Sequence, residues 1–250
     1  MPGELRMLRL RFDAARLHEL GRRRHLPLRA EDLGYLLHCE LKELFGAEAP
    51  GPFAVQGTPG RSVTVLAYSR RSRAELEDHA RAFADPAVHA ACDFHAMDEK
   101  VMPDGWTPGR RLGFLLRACP VVRLSKDLRL PSDDATIRAG AEVDAFLARC
   151  WRTEGPVDRE AVYREWLRAE LERRGGARLV GMRVEAFRRE RLVRRDQGPD
   201  RKAHLAERPD ALMAGEIEVT GPERFTQLLA RGVGRHRAFG FGMLLLHPAG

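Results

Sequence analysis

The order in which secondary-structure signals recur constrains this chain more than any single motif. LRLRF (Leu8 to Phe12) alternates apolar and basic residues and reads as a half-buried strand. An arginine-rich loop is expected over GRRRHLPLR, Gly21 to Arg29. EDLGYLLHCELKELFG (Glu31 to Gly46) has helical spacing, acidic residues in its first turn and a terminal glycine. SVTVLAYS (Ser62 to Ser69) predicts a strand, and SRAELEDHARAFA (Ser72 to Ala84) a helix. A Pro/Gly-rich stretch, MPDGWTPGRR (Met102 to Arg111), reads as a linker.

The pattern then begins again. Leu112 to Leu124 reads as a strand, and Ala141 to Trp151 and Asp158 to Arg174 as helices. Ala177 to Arg195 and Asp210 to Thr220 read as strands joined by a polar segment. Pro222 to Gly232 reads as a helix and Phe241 to His247 as a last strand. Each half follows strand–helix–strands–helix–strand, the ferredoxin-like order. The expected fold is α+β, with two tandem ferredoxin-like domains over residues 1–107 and 108–250. The likeness of the halves lies in element order, not in repeated sequence.

Charge narrows the partners. The chain carries 43 basic and 36 acidic residues, net +7, and its only lysines are Lys42, Lys100, Lys126 and Lys202. Arginine presents a planar fork suited to phosphates and base edges, so nucleic acid, an anionic membrane or an acidic partner would suit the surface. GC-rich coding also raises arginine. Cys39, Cys92, Cys119 and Cys150 form no CxxC pair, which argues against a zinc site or disulfide framework and fits a reducing cytosol. The first residues, MPGELRMLRLRF, lack a signal-peptide core, and no apolar run approaches a membrane span. A cytoplasmic protein without membrane contact is expected.

At 100° per residue, the helix after Glu31 sorts into two faces. Leu33, Leu37, Leu41 and Leu44 share one side, with Glu40 inside their arc. Glu31, Tyr35, His38 and Lys42 fall in a narrow wedge opposite, so His38 should point away from the core. A histidine titrates near neutrality and can move a proton. Beside it, a tyrosine can hydrogen-bond a phosphate oxygen and a lysine can neutralise charge. An ordinary solvated helix face would look the same.

The stretch GVGRHRAFGFGMLLL, Gly232 to Leu246, has three readings. Gly232, Gly234, Gly240 and Gly242 allow positive φ and close approach, so the loop could be a packed helix-to-strand turn. Its amides, with Arg235 and Arg237, could cradle an RNA phosphate. RAFGFG also satisfies the R-x-x-G-x-G pattern of acetyltransferases, but that motif needs a following helix, and no helix is predicted after it. His236 is a further candidate for chemistry.

The loop, in the form GVGRHRAFGFGMLLLHP, resembles the glycine-rich loop of the CasE-type CRISPR-RNA-processing endoribonucleases of the RAMP superfamily. YLLHCELKELF (Tyr35 to Phe45) is similar to their first helix, and FLLRACP (Phe114 to Pro120) to the strand opening their second domain. The resemblance implies two ferredoxin-like domains and metal-independent cleavage of a CRISPR repeat hairpin, with no cofactor. It implies 2′-hydroxyl attack giving a 2′,3′-cyclic phosphate, and service to a Cascade-like complex. By motif, His38 would be the general acid/base and Tyr35 its partner. Lys42 joins them on helical geometry alone.

RNA is expected along Arg188, Arg189, Arg191, Arg194 and Arg195 of a basic hairpin, and at a second patch, Arg22, Arg23 and Arg24. Gly232, Gly234, Arg235, His236, Arg237, Gly240 and Gly242 would complete the RNA-binding set. His18, His25 and His236 remain alternative catalytic histidines. A non-catalytic guide-RNA-binding subunit of an effector complex is the main competing function.

Overall fold

The computed structural model describes residues 3–24, 33–57, 60–130, 135–195 and 203–249, with side chains described up to 192 and again from 207. The first half contains β1 (Arg6–Asp13), α1 (Ala14–Arg23), α2 (Leu33–Phe45), β2 (Phe53–Gln56), β3 (Ser62–Ser69), α3 (Arg73–Phe83), α4 (Pro86–His89) and β4 (Asp98–Val101). Its strands form an antiparallel sheet in the order β2-β3-β1-β4. The alternation in β1 sends Leu8, Leu10 and Phe12 to one face, where they pack with Leu37, Leu41 and Leu44 of α2 and Leu76 of α3.

The second half contains β5 (Arg111–Ala118) and four short strands, β6 (Val121–Arg123), β7 (Leu128–Arg129), β8 (Thr136–Ile137) and β9 (Glu142–Asp144). After them come α5 (Ala145–Cys150), α6 (Arg159–Arg174), β10 (Ala177–Arg195), β11 (Ala203–Val219), α7 (Pro222–Arg231) and β12 (Leu244–Pro248). The main sheet has the order β10-β11-β5-β12 and is again antiparallel. Both sheets therefore have the ferredoxin-like order that the succession of elements implied. Between them, β6 and β9 make a small separate sheet.

Several local expectations need correction. Gly21, Arg22 and Arg23 belong to α1, not to a loop. Asp13 caps this helix by accepting from the Arg16 amide at 2.9 Å, and Leu17 and Leu20 drop into the core. Three consecutive arginines masked that amphipathic pattern. The strand expected from Leu112 to Leu124 stops at Ala118 and resumes at Val121, because Pro120 carries no amide hydrogen for a ladder. The helix expected from Ala141 begins only at Ala145: Glu142 to Asp144 pair with β6, and Asp144 caps α5. The last strand starts at Leu244 rather than Phe241, and β2 and β4 had no sequence signal strong enough to predict. The stretch read as a linker is anchored. Met102 and Trp106 are buried, and the Trp106 ring meets Phe225 edge-on at 4.9 Å.

One core runs between the halves. Leu5, Ala54 and Tyr68 of the first half join the cluster around Phe114, Trp166 and Phe225, and the Tyr68 hydroxyl donates to the Leu244 carbonyl at 2.8 Å. A second feature positions the long β10–β11 hairpin. β5 pairs with β11 only from Ala211 to Glu218, whereas β10 and β11 stay paired out to Arg195 and Ala203. At the point of departure Arg117 forks onto Asp210 (2.9 and 3.0 Å) and also holds Glu190, while Arg188 reaches Asp210 at 2.6 Å. Arginine's fork satisfies both buried carboxylates at once.

Glu40 is fully buried on α2, paired to Arg24 at 2.7 Å. Burial pushes its carboxyl up to about 7, against the opposing pull of Arg24. The folded protein therefore holds this proton more tightly than the unfolded chain, and the associated stability is full below the ordinary value and lost as pH rises through about 7. Thermal unfolding at pH 5 and pH 8 should show Glu40→Gln gaining stability relative to wild type at the higher pH.

Candidate active site

Within the polar wedge of α2, Tyr35 and His38 are half-buried, Lys42 is exposed, and Glu31 lies outside the described residues. Tyr35 and His38 lie toward the glycine-rich loop of the second half. Gly34 makes this approach possible: a Cβ there would lie 2.2 Å from the Phe239 carbonyl oxygen. One turn of the loop, Arg237–Phe239, is a 3₁₀ helix lying against α2. The Tyr35 ring stacks on Phe239 at 5.4 Å, and both belong to a small cluster with Cys119, Val121, Leu192 and Phe241. That cluster ties α2, the loop, the β5–β6 corner and the hairpin together.

His38 follows Tyr35 by one turn, its ring centroid 6.4 Å from the tyrosine's. It is half-buried and lines a cleft of about 190 Å³ with Leu41, Lys42, Phe53, Arg231 and Arg237. Burial, and then the Lys42 charge, hold its imidazole below the ordinary value, so it is predominantly neutral at pH 7. Lys42 is exposed and donates to the Gly46 carbonyl at 3.4 Å. Arg237 donates to the Arg231 carbonyl, and both residues line the cleft. Tyr35 shares a hydrogen bond with Cys39. A neutral base and three cationic residues line one opening, with the Tyr35 phenol one turn away on α2; such a set can deprotonate a hydroxyl next to a phosphate and offset the charge that develops there.

The loop glycines serve close packing. Val233 donates to the Gly242 carbonyl and Gly242 to the Arg117 carbonyl, each at 2.8 Å. Gly242 has φ +88°, and a Cβ on it would lie 2.3 Å from the Val233 carbonyl oxygen. A Cβ on Gly232 would meet the Gly242 oxygen, and one on Gly234 the Trp166 ring; Gly240 also has positive φ. The amides of Val233, Phe239, Gly240 and Gly242 are thus satisfied inside the protein. No helix follows the loop; β12 does. The acetyltransferase geometry fails on that point.

Other predicted residues lie elsewhere. Arg22 and Arg23 pair with Glu19, and Arg24 with Glu40 and Glu43, so this patch braces α1 and α2. Arg188 is held at the hairpin base, Arg189 pairs with Glu207 at 3.4 Å, and Arg191 is exposed. Arg194 and Arg195 lie on β10, their side chains outside the described residues, as is all of His25. His18 bonds the Ala14 carbonyl of its own helix at 2.7 Å. His236, in the left-handed region at φ 59°, is turned onto Glu142 at 2.9 Å. Among the described residues, no group of three or more His, Cys, Asp or Glu is placed to hold a metal, and no helix is long and apolar enough to cross a membrane.

Comparison with known proteins gives this arrangement a family. A family model described as CRISPR associated protein matches residues 7–248. The chain belongs to that family. CRISPR-associated endoribonuclease Cse3 of Thermus thermophilus is 32% identical over 145 residues, covering 56% of this chain and 57% of the relative. The chain therefore spans a little over half the length of the curated relative it matches. Among solved structures, CRISPR endoribonuclease Cse3 bound to 19 nt RNA superposes with a TM-score of 0.61 at 20% identity, over 98% of this chain and 100% of the other. The CRISPR-associated protein Cas6e from Escherichia coli str. K-12 gives 0.53 at 20% identity, over 97% and 100%. At such identities the superpositions speak for the shared fold. The CasE-type resemblance of the loop and helix is borne out at the level of family.

Within this CRISPR-associated protein, the residues that sequence reasoning missed are those that join the motifs. Gly34 and Phe239 set the distance between α2 and the loop, and Arg231 lines the cleft. Gly34 carried a legible signal, since an isolated glycine inside a helical pattern often marks close packing. In an unpacked helix Gly→Ala adds up to about 1 kcal/mol of stability. Here the new methyl meets backbone, so Gly34→Ala should instead destabilise the fold by the roughly 1–3 kcal/mol of ordinary overpacking and lower the unfolding midpoint. Thermal denaturation of the purified variant checks the sign.

Proposed function

We propose that this CRISPR-associated protein is an endoribonuclease that binds the CRISPR repeat hairpin and cuts precursor CRISPR RNA without a metal, supplying guide RNA to a Cascade-like complex in the cytoplasm. The observation that carries this reading is the cleft beneath the glycine-rich loop, where half-buried His38 sits among Lys42, Arg231 and Arg237. The names of the relatives support it: the curated relative is an endoribonuclease, and the solved Cse3 holds RNA. Another matching structure is a CRISPR RNA-guided surveillance complex, pre-nicking, with a TM-score of 0.55.

In this reading neutral His38 takes the proton from the 2′-hydroxyl. That oxygen attacks the adjacent phosphorus and expels the 5′-oxygen, which leaves as a 5′-hydroxyl once protonated. The product retains a 2′,3′-cyclic phosphate. Tyr35 hydrogen-bonds a phosphate oxygen, and Lys42, Arg231 and Arg237 balance the charge that builds on the phosphorane. Arg188, Arg189, Arg191, Arg194 and Arg195 run the RNA stem along the hairpin, as phosphate-directed recognition of double-stranded RNA requires. Arg235 and His236 extend the contact surface beside the loop.

Single-turnover cleavage of the repeat hairpin in EDTA tests this. His38→Ala should slow cleavage by about 10²–10⁴-fold with binding retained, and a 2′-deoxy nucleotide at the cut should abolish it. Tight binding with no cutting by wild type would make the protein a guide-RNA-holding subunit instead. The acidic limb of the kcat/KM profile reports the free enzyme. Because His38 is held low, that limb should fall below the ordinary 6.5. Raising salt from roughly 50 to roughly 200 mM should weaken binding at least about tenfold, the loss for two neutralised phosphates; a flat response would remove the electrostatic basis of the proposal.

A further inference from the structure

The insertion between β5 and α5 plays no part in the cleft, yet its strand β9 delivers one carboxylate into the middle of a cationic group. Glu142 accepts from Arg235 Nε at 2.7 Å through one oxygen and faces His236 Nε2 at 2.9 Å through the other. Arg208, on β11 of the hairpin, reaches the same oxygen only at 3.9 Å. The Arg208 Nε atom is buried and has no hydrogen-bond partner among the described residues. Arg208, Glu142, Arg189 and Glu207 border a cavity of about 250 Å³. His236 keeps a left-handed backbone here at φ 59°, a conformation that costs a non-glycine residue and persists only where contacts enforce it.

We infer that Arg208, Arg235 and His236 form a binding site for one RNA backbone phosphate, and that Glu142 fills this site until RNA displaces it. This rests on the proposed RNA-binding function. The carboxylate offers two oxygens to donors from two elements, as two non-bridging phosphate oxygens would. Its fit is incomplete: Arg208 stands off, and a buried guanidinium nitrogen lacks an acceptor, a costly arrangement that a larger anion would relieve. The site joins the loop to the hairpin, the two elements that the RNA must touch together. A phosphodiester there would carry its charge into a group that Glu142 alone leaves cationic. RNA and the carboxylate then compete for the same donors, so removing the carboxylate's charge strengthens RNA binding.

The test measures hairpin RNA binding by fluorescence anisotropy in a His38→Ala background, so that the RNA stays intact. Glu142→Gln should lower Kd at least about fivefold, the lower end of ordinary coupling between competing ligands. Arg208→Gln should raise Kd, and the Glu142→Gln/Arg208→Gln double variant should lose most of the gain. If Glu142 only braces the loop, Glu142→Gln weakens binding or leaves it unchanged, and either result overturns this inference while the proposed function stands. Failure of the His38→Ala parent to bind the hairpin overturns both. The Arg208→Gln arm stands independently should Glu142→Gln fold poorly: an unchanged Kd there removes the phosphate site.

Discussion

At Gly34 the backbone of α2 comes so close to the Phe239 carbonyl that no side chain fits between them. The candidate site depends on this contact. It presses Tyr35 onto Phe239, brings Arg237 and His38 to one cleft, and draws the lining of that cleft from both halves of the chain. The approach is held from the other side by the paired glycines of the loop, where the Val233 amide bonds the Gly242 carbonyl and no Cβ fits at Gly242. Glycine serves here for proximity between chain segments rather than for flexibility.

Arginine plays two separate parts. Arg24 and Arg117 are internal struts, pairing with Glu40, Asp210 and Glu190, all three of which are buried, while Arg188 reaches Asp210 and Glu190 from the exposed side of the hairpin. Arg117 also lies 4.5 Å from the centre of the Phe241 ring, so one residue locks the hairpin base to the loop. Arg191 and Arg237 remain at the surface or at the cleft. Net charge alone does not distinguish struts from ligands. That division is set by whether a carboxylate from a distant strand reaches the guanidinium first.

The same division explains the electrostatics of the two histidines that matter. His38 and His236 are both held below their ordinary range by burial, but Glu142 opposes the shift only at His236. His38 borders a cleft of about 190 Å³ shared with cationic residues, while His236 faces the Glu142 carboxylate. In the proposed mechanism the first takes a proton, and in the proposed phosphate site the second meets the incoming anion.

Periodicity within single elements was enough to suggest the α+β class and a ferredoxin-like succession of elements, because alternating and helical patterns survive in most elements. It was also enough to give the stripe of Tyr35, His38 and Lys42, since helical spacing is a local property. The amino-acid order was less informative wherever a long-range partner overrode a local pattern. α1 was hidden by its own arginines, β2 and β4 were too short to show periodicity, and Glu142 sat in a stretch that read as helix until β6 paired with it. Tertiary packing was needed to turn Tyr35 and His38 toward the loop, and to make Arg24 brace α1 against α2. It also placed a carboxylate among the loop cations. The wedge against the loop, Arg24 on Glu40 and Glu142 among the loop cations each join residues far apart in the chain, fixed by packing that no local spacing encodes.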